Sequence, residues 1–292
     1  MSIFTGSCTA MVTPFTENGI NFDSLGKCIE FQIDQGTDAL LACGTTGEPS
    51  TMIKEEKRDL ISYTVEKVQG RIPLIAGTGG NNTKEVIRAS VEAESLGVDA
   101  LLIVNPYYNK TNKRGLYEHY KAICSETSLP VILYNVPSRT GCNISAADLE
   151  YLASIENIQA IKEASGNLAQ VVEMAALCGD YIDIYSGNDD IIVPVLACGG
   201  KGVISVAANI IPADVHNMVA DFLSGNMEKS LETQLRAFPL IKALFTEVNP
   251  IPVKTAMNLM GMNMGPLRAP LYEISDQALS TLTSSMKEYG LI

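Results

Sequence analysis

Apolar residues fall along this chain in two alternating patterns. Short, largely apolar runs occupy residues 7–12, 39–43, 73–76, 100–104, 131–134, 158–162, 181–186 and 202–206. Between them lie longer stretches in which apolar residues recur at helical spacing, as over 54–68, 83–96 and 168–178. The first pattern predicts strands and the second amphipathic helices. Strands separated by helices pair in parallel, because a parallel crossover needs the length that a helix supplies. Eight such units point to a closed barrel rather than an open doubly wound sheet. The expected fold is therefore α/β, a (β/α)8 TIM barrel. Beyond the eighth run the helical pattern takes over, with helices expected over 227–248, 252–260 and 276–289. No low-complexity linker precedes them. Residues 1–225 are expected to form the barrel and carry the active site, and residues 226–292 a C-terminal helical extension packed on it.

Composition narrows the class. Of the 292 residues, 46% are hydrophobic and 18% charged, the balance of a folded chain with a large core. Barrels of about 250 residues fold as one unit, so the length fits. Lys and Arg total 21 against 33 Asp and Glu, a net charge of -12. An acidic surface repels nucleic acid and anionic membranes, so neither is an expected partner. An anionic substrate must then be held by a few local cations. The N-terminus lacks a basic region followed by an apolar one, which predicts no signal peptide. No charge-free apolar run is long enough to span a membrane. The seven cysteines are scattered and form no Cys-x-x-Cys pair, which suits reduced thiols in the cytoplasm.

Barrel active sites lie at the C-terminal ends of the strands, so the residues just after each run are where chemistry is expected. Lys162 ends the run 158–162, and period-2 alternation puts Ile158, Ala160 and Lys162 on one face. If that face points into the barrel, the amine is held out of water and becomes a usable nucleophile near neutral pH. The alternative is a strand-end lysine reaching to solvent. Tyr134 ends the preceding run, beside Lys162, as a proton shuttle or as a core tyrosine with its hydroxyl at the rim. Gly44-Thr45-Thr46-Gly47 has the backbone N–H groups and hydroxyls to cradle a carboxylate, though such turns are generic. It is not a P-loop, since no Gly-Lys-Ser/Thr follows. Gly77-Thr78-Gly79-Gly80 lacks dinucleotide-fingerprint spacing. Tyr107 and Tyr108 follow Pro106 in a loop, suited to an interface, a site or packing. His119 and His216 have no acidic or Cys partner at ligand spacing, so no metal and no triad is expected. The run Lys54-Glu55-Glu56-Lys57-Arg58-Asp59 reads as a solvated helix face.

Three motifs, in order, carry a resemblance: Gly44-Thr45-Thr46-Gly47-Glu48, Tyr134-Asn135-Val136-Pro137-Ser138-Arg139-Thr140-Gly141 and Ile161-Lys162-Glu163-Ala164-Ser165-Gly166. Together they resemble the dihydrodipicolinate synthase family, within the superfamily of N-acetylneuraminate lyases and class I pyruvate aldolases. The likeness runs nearly end to end. It implies a lyase that condenses pyruvate with L-aspartate 4-semialdehyde, on the route to diaminopimelate and lysine. It implies that Lys162 forms a pyruvyl Schiff base. Tyr134, Thr45 and Tyr108 would form a proton relay, with Tyr108 reaching in from a neighbouring subunit. Thr46 would hold the pyruvate carboxylate and Arg139 the semialdehyde carboxylate, while Gly187 and Ile204 line the pocket. The family implies a homotetramer, a dimer of dimers. No cofactor or metal is expected, because the iminium is itself the electron sink.

Two other functions are weighed against this one. A 2-keto-3-deoxy sugar-acid aldolase or a sialic acid lyase resembles the chain elsewhere but usually lacks the arginine of Ser138-Arg139-Thr140-Gly141. A catalytically silent binding relative would keep the barrel without the set Lys162, Tyr134 and Thr45. Feedback-inhibited members bind L-lysine in a cleft at a tight dimer interface. The matching positions here are Pro49, Ser50, Lys54, Lys57, Asn81, Glu85 and Tyr107. Two ammonium groups at 54 and 57 would repel a ligand carrying its own, which predicts insensitivity to L-lysine.

Overall fold

The computed structural model describes residues 2–292. Its strands are β1 (Gly6–Ala10), a short hairpin of β2 (Phe15–Thr16) and β3 (Gly19–Ile20), then β4 (Ala39–Ala42), β5 (Leu74–Gly77), β6 (Ala100–Val104), β7 (Val131–Asn135), β8 (Ile158–Glu163), β9 (Asp183–Ser186) and β10 (Gly202–Ser205). All but the hairpin pair in parallel and close into one eight-stranded barrel, in the order β1-β10-β9-β8-β7-β6-β5-β4. The helices are α1 (Phe22–Asp34), α2 (Lys54–Val68), α3 (Thr83–Leu96), α4 (Lys113–Cys124), α5 (Pro137–Thr140), α6 (Ala146–Leu152), α7 (Leu168–Cys178), α8 (Ile192–Ala197), α9 (Pro212–Leu223), α10 (Met227–Ala243), α11 (Ile251–Leu259) and α12 (Asp276–Tyr289). The eight predicted strands all exist, and helices α2, α3, α7 and α12 have the predicted bounds. Among the described residues, no helix is long and apolar enough to cross a membrane.

The strands read as apolar runs because both their faces are buried. One set of side chains, including Cys8, Ala10, Leu41, Ile75, Leu102, Ile132, Tyr134, Ala160 and Ile204, fills the barrel interior. The alternate set, including Leu40, Leu74, Leu101, Ile103, Leu133, Ile161 and Val203, packs outward against the helices. Within the interior set, the Tyr185 ring stacks on Phe4 with centroids 4.2 Å apart. The Tyr185 hydroxyl also donates to the Phe4 carbonyl at 2.7 Å. The N-terminal segment is thereby tied to β9.

Three local expectations are corrected. Ile158 does not share the inner face with Ala160 and Lys162. Val131 pairs with Ile158 but Ile132 pairs with Ala160, so Gln159 is an extra residue in the ladder. The bulge reverses the alternation and sends Ile158 into the outer, helix-facing core. The helix expected over 227–248 stops at Ala243. Residues 244–250 turn instead, and they bring Val248 and Asn249 to the wall of a cavity that also takes Thr45 and Tyr134. The β2–β3 hairpin went unpredicted because two residues per strand carry no readable period.

Sequence-local signals set the helix ends. Asn82 caps α3 by accepting from the Lys84 N–H at 3.2 Å. Ser275 caps α12, which ends at Gly290 with φ 86, a left-handed conformation that suits glycine. Beyond the barrel, α10 packs on α9, where Ser230 Oγ donates to the Met218 carbonyl at 2.6 Å.

Candidate active site

A cavity of about 330 Å³ opens at the C-terminal ends of the strands, where barrel chemistry belongs. Its wall includes Thr45, Tyr134 and Arg139 from the predicted set, with Gly77 and Gly79 from the loop after β5. The cavity also takes Tyr107, read from the sequence as a site or interface residue, and Val248, Asn249, Pro250, Pro270 and Leu271, none of which was predicted to line a pocket.

Lys162 and Tyr134 are cross-strand neighbours in the β7–β8 register. The Lys162 Nζ lies 4.6 Å from the centre of the Tyr134 ring. Lys162 is 5% exposed and Tyr134 8%. The lysine itself is not part of the cavity wall; the Tyr134 ring, which is, lies between its amine and the open space. Thr46 and Ile204 are buried and do not contribute to the cavity wall. Gly187 is half-buried at the end of β9, and a Cβ there would sit 2.5 Å from the Ala164 Cβ, so only glycine fits. Tyr108 stands apart. It is 92% exposed, with φ 69, and does not reach the cavity of its own chain.

The outward face of the same strand ends holds the pair in register. The Glu163 carboxylate accepts from Asn135 Nδ2 at 2.7 Å and from the Ser165 N–H at 2.8 Å. Asn135 Oδ1 in turn accepts from the Ile144 N–H at 2.9 Å. The motif residues beside Tyr134 and Lys162 thus bridge β7 to β8 and to the loop after α5. A similar brace stands at β10, where the Asp189 carboxylate accepts from the Val206 and Ala207 N–H groups at 3.0 and 2.9 Å. Burial pushes the Asp189 carboxyl above its ordinary range.

The loop 44–48 is a single turn of 3-10 helix over Thr45–Gly47, bracketed by Cys43 and Glu48, both with φ 56. Left-handed conformations at non-glycine residues cluster at functional sites. Thr46 Oγ1 accepts from Asn249 Nδ2 at 3.1 Å, and Arg139 Nη2 donates to the Asn249 carbonyl at 3.0 Å. Asn249 therefore joins two of the predicted residues. Its own Oδ1 is buried without a protein partner. Burial pushes the Cys43 thiol up to about 12, so it is no nucleophile.

Among the described residues, no three His, Cys, Asp or Glu side chains gather as a metal site. His119 Nδ1 meets Thr83 Oγ1 at 2.9 Å, and His216 Nδ1 meets Asp38 at 2.8 Å, a carboxylate distant in sequence. The seven cysteines are all free.

Fold and cavity together define a (β/α)8-barrel enzyme with a shielded lysine at the mouth of the barrel. The description of the matching family model, over residues 3–289, is "Dihydrodipicolinate synthetase family". The chain is 56% identical over 290 residues to the 4-hydroxy-tetrahydrodipicolinate synthase of Acetivibrio thermocellus, covering 99% of each chain. A solved dihydrodipicolinate synthase from Thermotoga maritima is 41% identical with a TM-score of 0.98, and the match covers 100% of both chains. Another, from Cyanidioschyzon merolae and described with lysine bound, is 37% identical with a TM-score of 0.96, again over 100% of both. This chain belongs to the dihydrodipicolinate synthetase family, and with it to the lyases.

Proposed function

We propose that the chain condenses pyruvate with L-aspartate 4-semialdehyde to 4-hydroxy-tetrahydrodipicolinate, through a Schiff base on Lys162. Membership of the family supports the substrates. The observation that carries the covalent step is the Lys162 amine, 5% exposed and packed on the Tyr134 ring at the strand ends.

The neutral Lys162 amine attacks the ketone carbon of pyruvate. The carbinolamine loses its hydroxyl as water, with the proton supplied through Tyr134, leaving an iminium. The iminium acidifies the adjacent methyl group, which gives up a proton to form an enamine. The enamine carbon attacks the aldehyde carbon of the semialdehyde, whose oxygen takes a proton. The amine of the bound semialdehyde then displaces Lys162 by transimination, closing the ring and freeing the lysine. Thr45 couples Tyr134 to Tyr108, which is supplied by a neighbouring subunit; its full exposure and left-handed backbone here support a residue held out for a partner. Thr46 and the N–H groups of loop 44–48 hold the pyruvate carboxylate. Arg139 meets the second carboxylate, which disfavours sugar-acid and sialic acid substrates. The assembly is a homotetramer built as a dimer of dimers.

Borohydride decides the covalent step. In the presence of pyruvate it should reduce the imine and leave a carboxyethyl group on Lys162, found by peptide mass. A chain that traps nothing at Lys162 is not this enzyme. Turnover with the semialdehyde, beside N-acetylmannosamine and glyceraldehyde, separates the aldehyde classes. Preference for either sugar would overturn the proposed substrate.

A further inference from the structure

Loop 44–48 carries both threonines of the proposed site, yet its conformation is gripped from outside. Glu48 ends the loop with φ 56 and a side chain 0% exposed. Its Oε1 lies 2.7 Å from Lys254 Nζ on α11, and its Oε2 accepts from the Arg268 N–H at 2.9 Å. The Phe15 ring lies beneath both cations, 4.3 Å from Lys254 Nζ and 3.9 Å from the Arg268 guanidinium. That guanidinium makes a two-pronged pair with Glu56 on α2, at 2.8 and 2.6 Å. Asn249, just before α11, donates to Thr46 Oγ1 at 3.1 Å.

A buried ion pair gains little over apolar residues of the same shape, because both charges must leave water. It does demand that both partners stay together, because moving either one leaves a buried charge unpaired. We infer that Lys254 is a positioning residue for the carboxylate-holding loop. Through Glu48 it fixes the conformation that sets Thr45 in the cavity wall and Thr46 beneath it, with Arg268 closing the clasp. This rests on the proposed role of the loop in holding pyruvate. Burial lowers the proton affinity of Lys254 against the opposing pull of Glu48, in keeping with a pair kept dry.

The double variant Glu48→Gln/Lys254→Met removes both charges together and leaves no lone buried ion. Circular dichroism and melting temperature report its folding. The pyruvate concentration for half-maximal borohydride trapping should rise about tenfold, the scale of one lost charge-assisted contact. The plateau of trapping should match the wild type, and the semialdehyde KM should stay within about twofold, since Arg139 is untouched. A merely structural role would lower the melting temperature and leave pyruvate half-saturation unmoved; that result overturns the proposal. If the double variant does not fold, Glu48→Gln decides, because Gln keeps the side-chain shape and can still accept from the Arg268 backbone N–H while losing the charge that fixes Lys254. There an increase of about threefold in pyruvate half-saturation is expected, and no change overturns the role of Lys254. A wild-type chain that traps no pyruvate sinks the assigned reaction itself. A trapping wild type with unaffected variants sinks only the role of Lys254.

Discussion

At the scale of single residues, the site depends on side chains whose partners are set by strand register. Lys162 sits beside Tyr134 across the β7–β8 ladder, and Glu163 with Asn135 braces that register from the outer face. Arg139 uses one guanidinium nitrogen on the Asn249 carbonyl, which leaves other N–H groups for a carboxylate. Arg139→Ala should therefore trap pyruvate normally. Its semialdehyde half-saturation should rise by roughly 10- to 100-fold, the worth of a hydrogen bond to a charged group. Loss of pyruvate trapping with normal semialdehyde affinity would mean that the two carboxylate sites are reversed.

At the scale of elements, the helices make two separable predictions. On α2, Lys54 Nζ is 3.6 Å from Glu55 Oε1, and Lys54 lines a surface cavity with Glu55, Arg58, Arg88 and Glu92, apart from Pro49, Ser50 and Tyr107, which line the strand-end cavity. On α3, Glu85 is paired with Arg88, so the carboxylate that would meet an incoming ammonium is already engaged. Asn81 Nδ2 donates to the Tyr107 carbonyl at 3.2 Å. Lys54 and Lys57 occupy the positions matched to the L-lysine cleft of feedback-inhibited members, and like charges a few ångströms apart cost on the order of 1 kcal/mol even in water. Millimolar L-lysine should leave turnover essentially unchanged in a coupled assay. Half-inhibition below a few millimolar would show that Lys54 and Lys57 swing clear.

The second concerns α4. Its His119 is 6% exposed, and burial lowers its pKa from 6.5 to about 4. Above pH 6.5 the ring is neutral whether the chain is folded or not, so it costs nothing. As pH falls from 6.5 towards 4, the unfolded chain takes a proton that the folded chain refuses, and stability declines. The loss is about 3 kcal/mol at most for this one group. His119→Gln should be less stable than wild type at pH 7 yet lose less on going to pH 4.5. Urea midpoints that fall in parallel for the two proteins would refute the assignment.

At the scale of the whole molecule, one of the proposed residues faces away from its own chain's strand ends. Tyr108 lies outside its own cavity, on the loop between β6 and α4. A relay completed across subunits makes activity a property of the assembly. Mixing an inactive Lys162→Ala chain with an inactive Tyr108→Phe chain, after dissociation and reassembly, should restore activity. In a mixed pair one site holds an intact Lys162 and receives an intact Tyr108. If hybrids form by native mass spectrometry yet stay inactive, Tyr108 does not act across the interface.

The barrel was legible in the sequence, and so was the placing of three motifs at its strand ends. A βα unit is a local object: its apolar run, its amphipathic helix and the loop between them lie within a few tens of residues, so their period survives in the sequence. The motifs around Thr45, Tyr134 and Lys162 were legible for the same reason, each sitting at the end of a recognisable run. Only the tertiary structure decided the bulge at Gln159, which turned Ile158 outward through a register set by the neighbouring strand. It alone brought Asn249 to Thr46 and Lys254 to Glu48, across 203 and 206 positions. Such contacts leave no periodicity in either segment. A lysine in a helix and a glutamate after a glycine look like any solvated pair until the chain closes and removes the water between them.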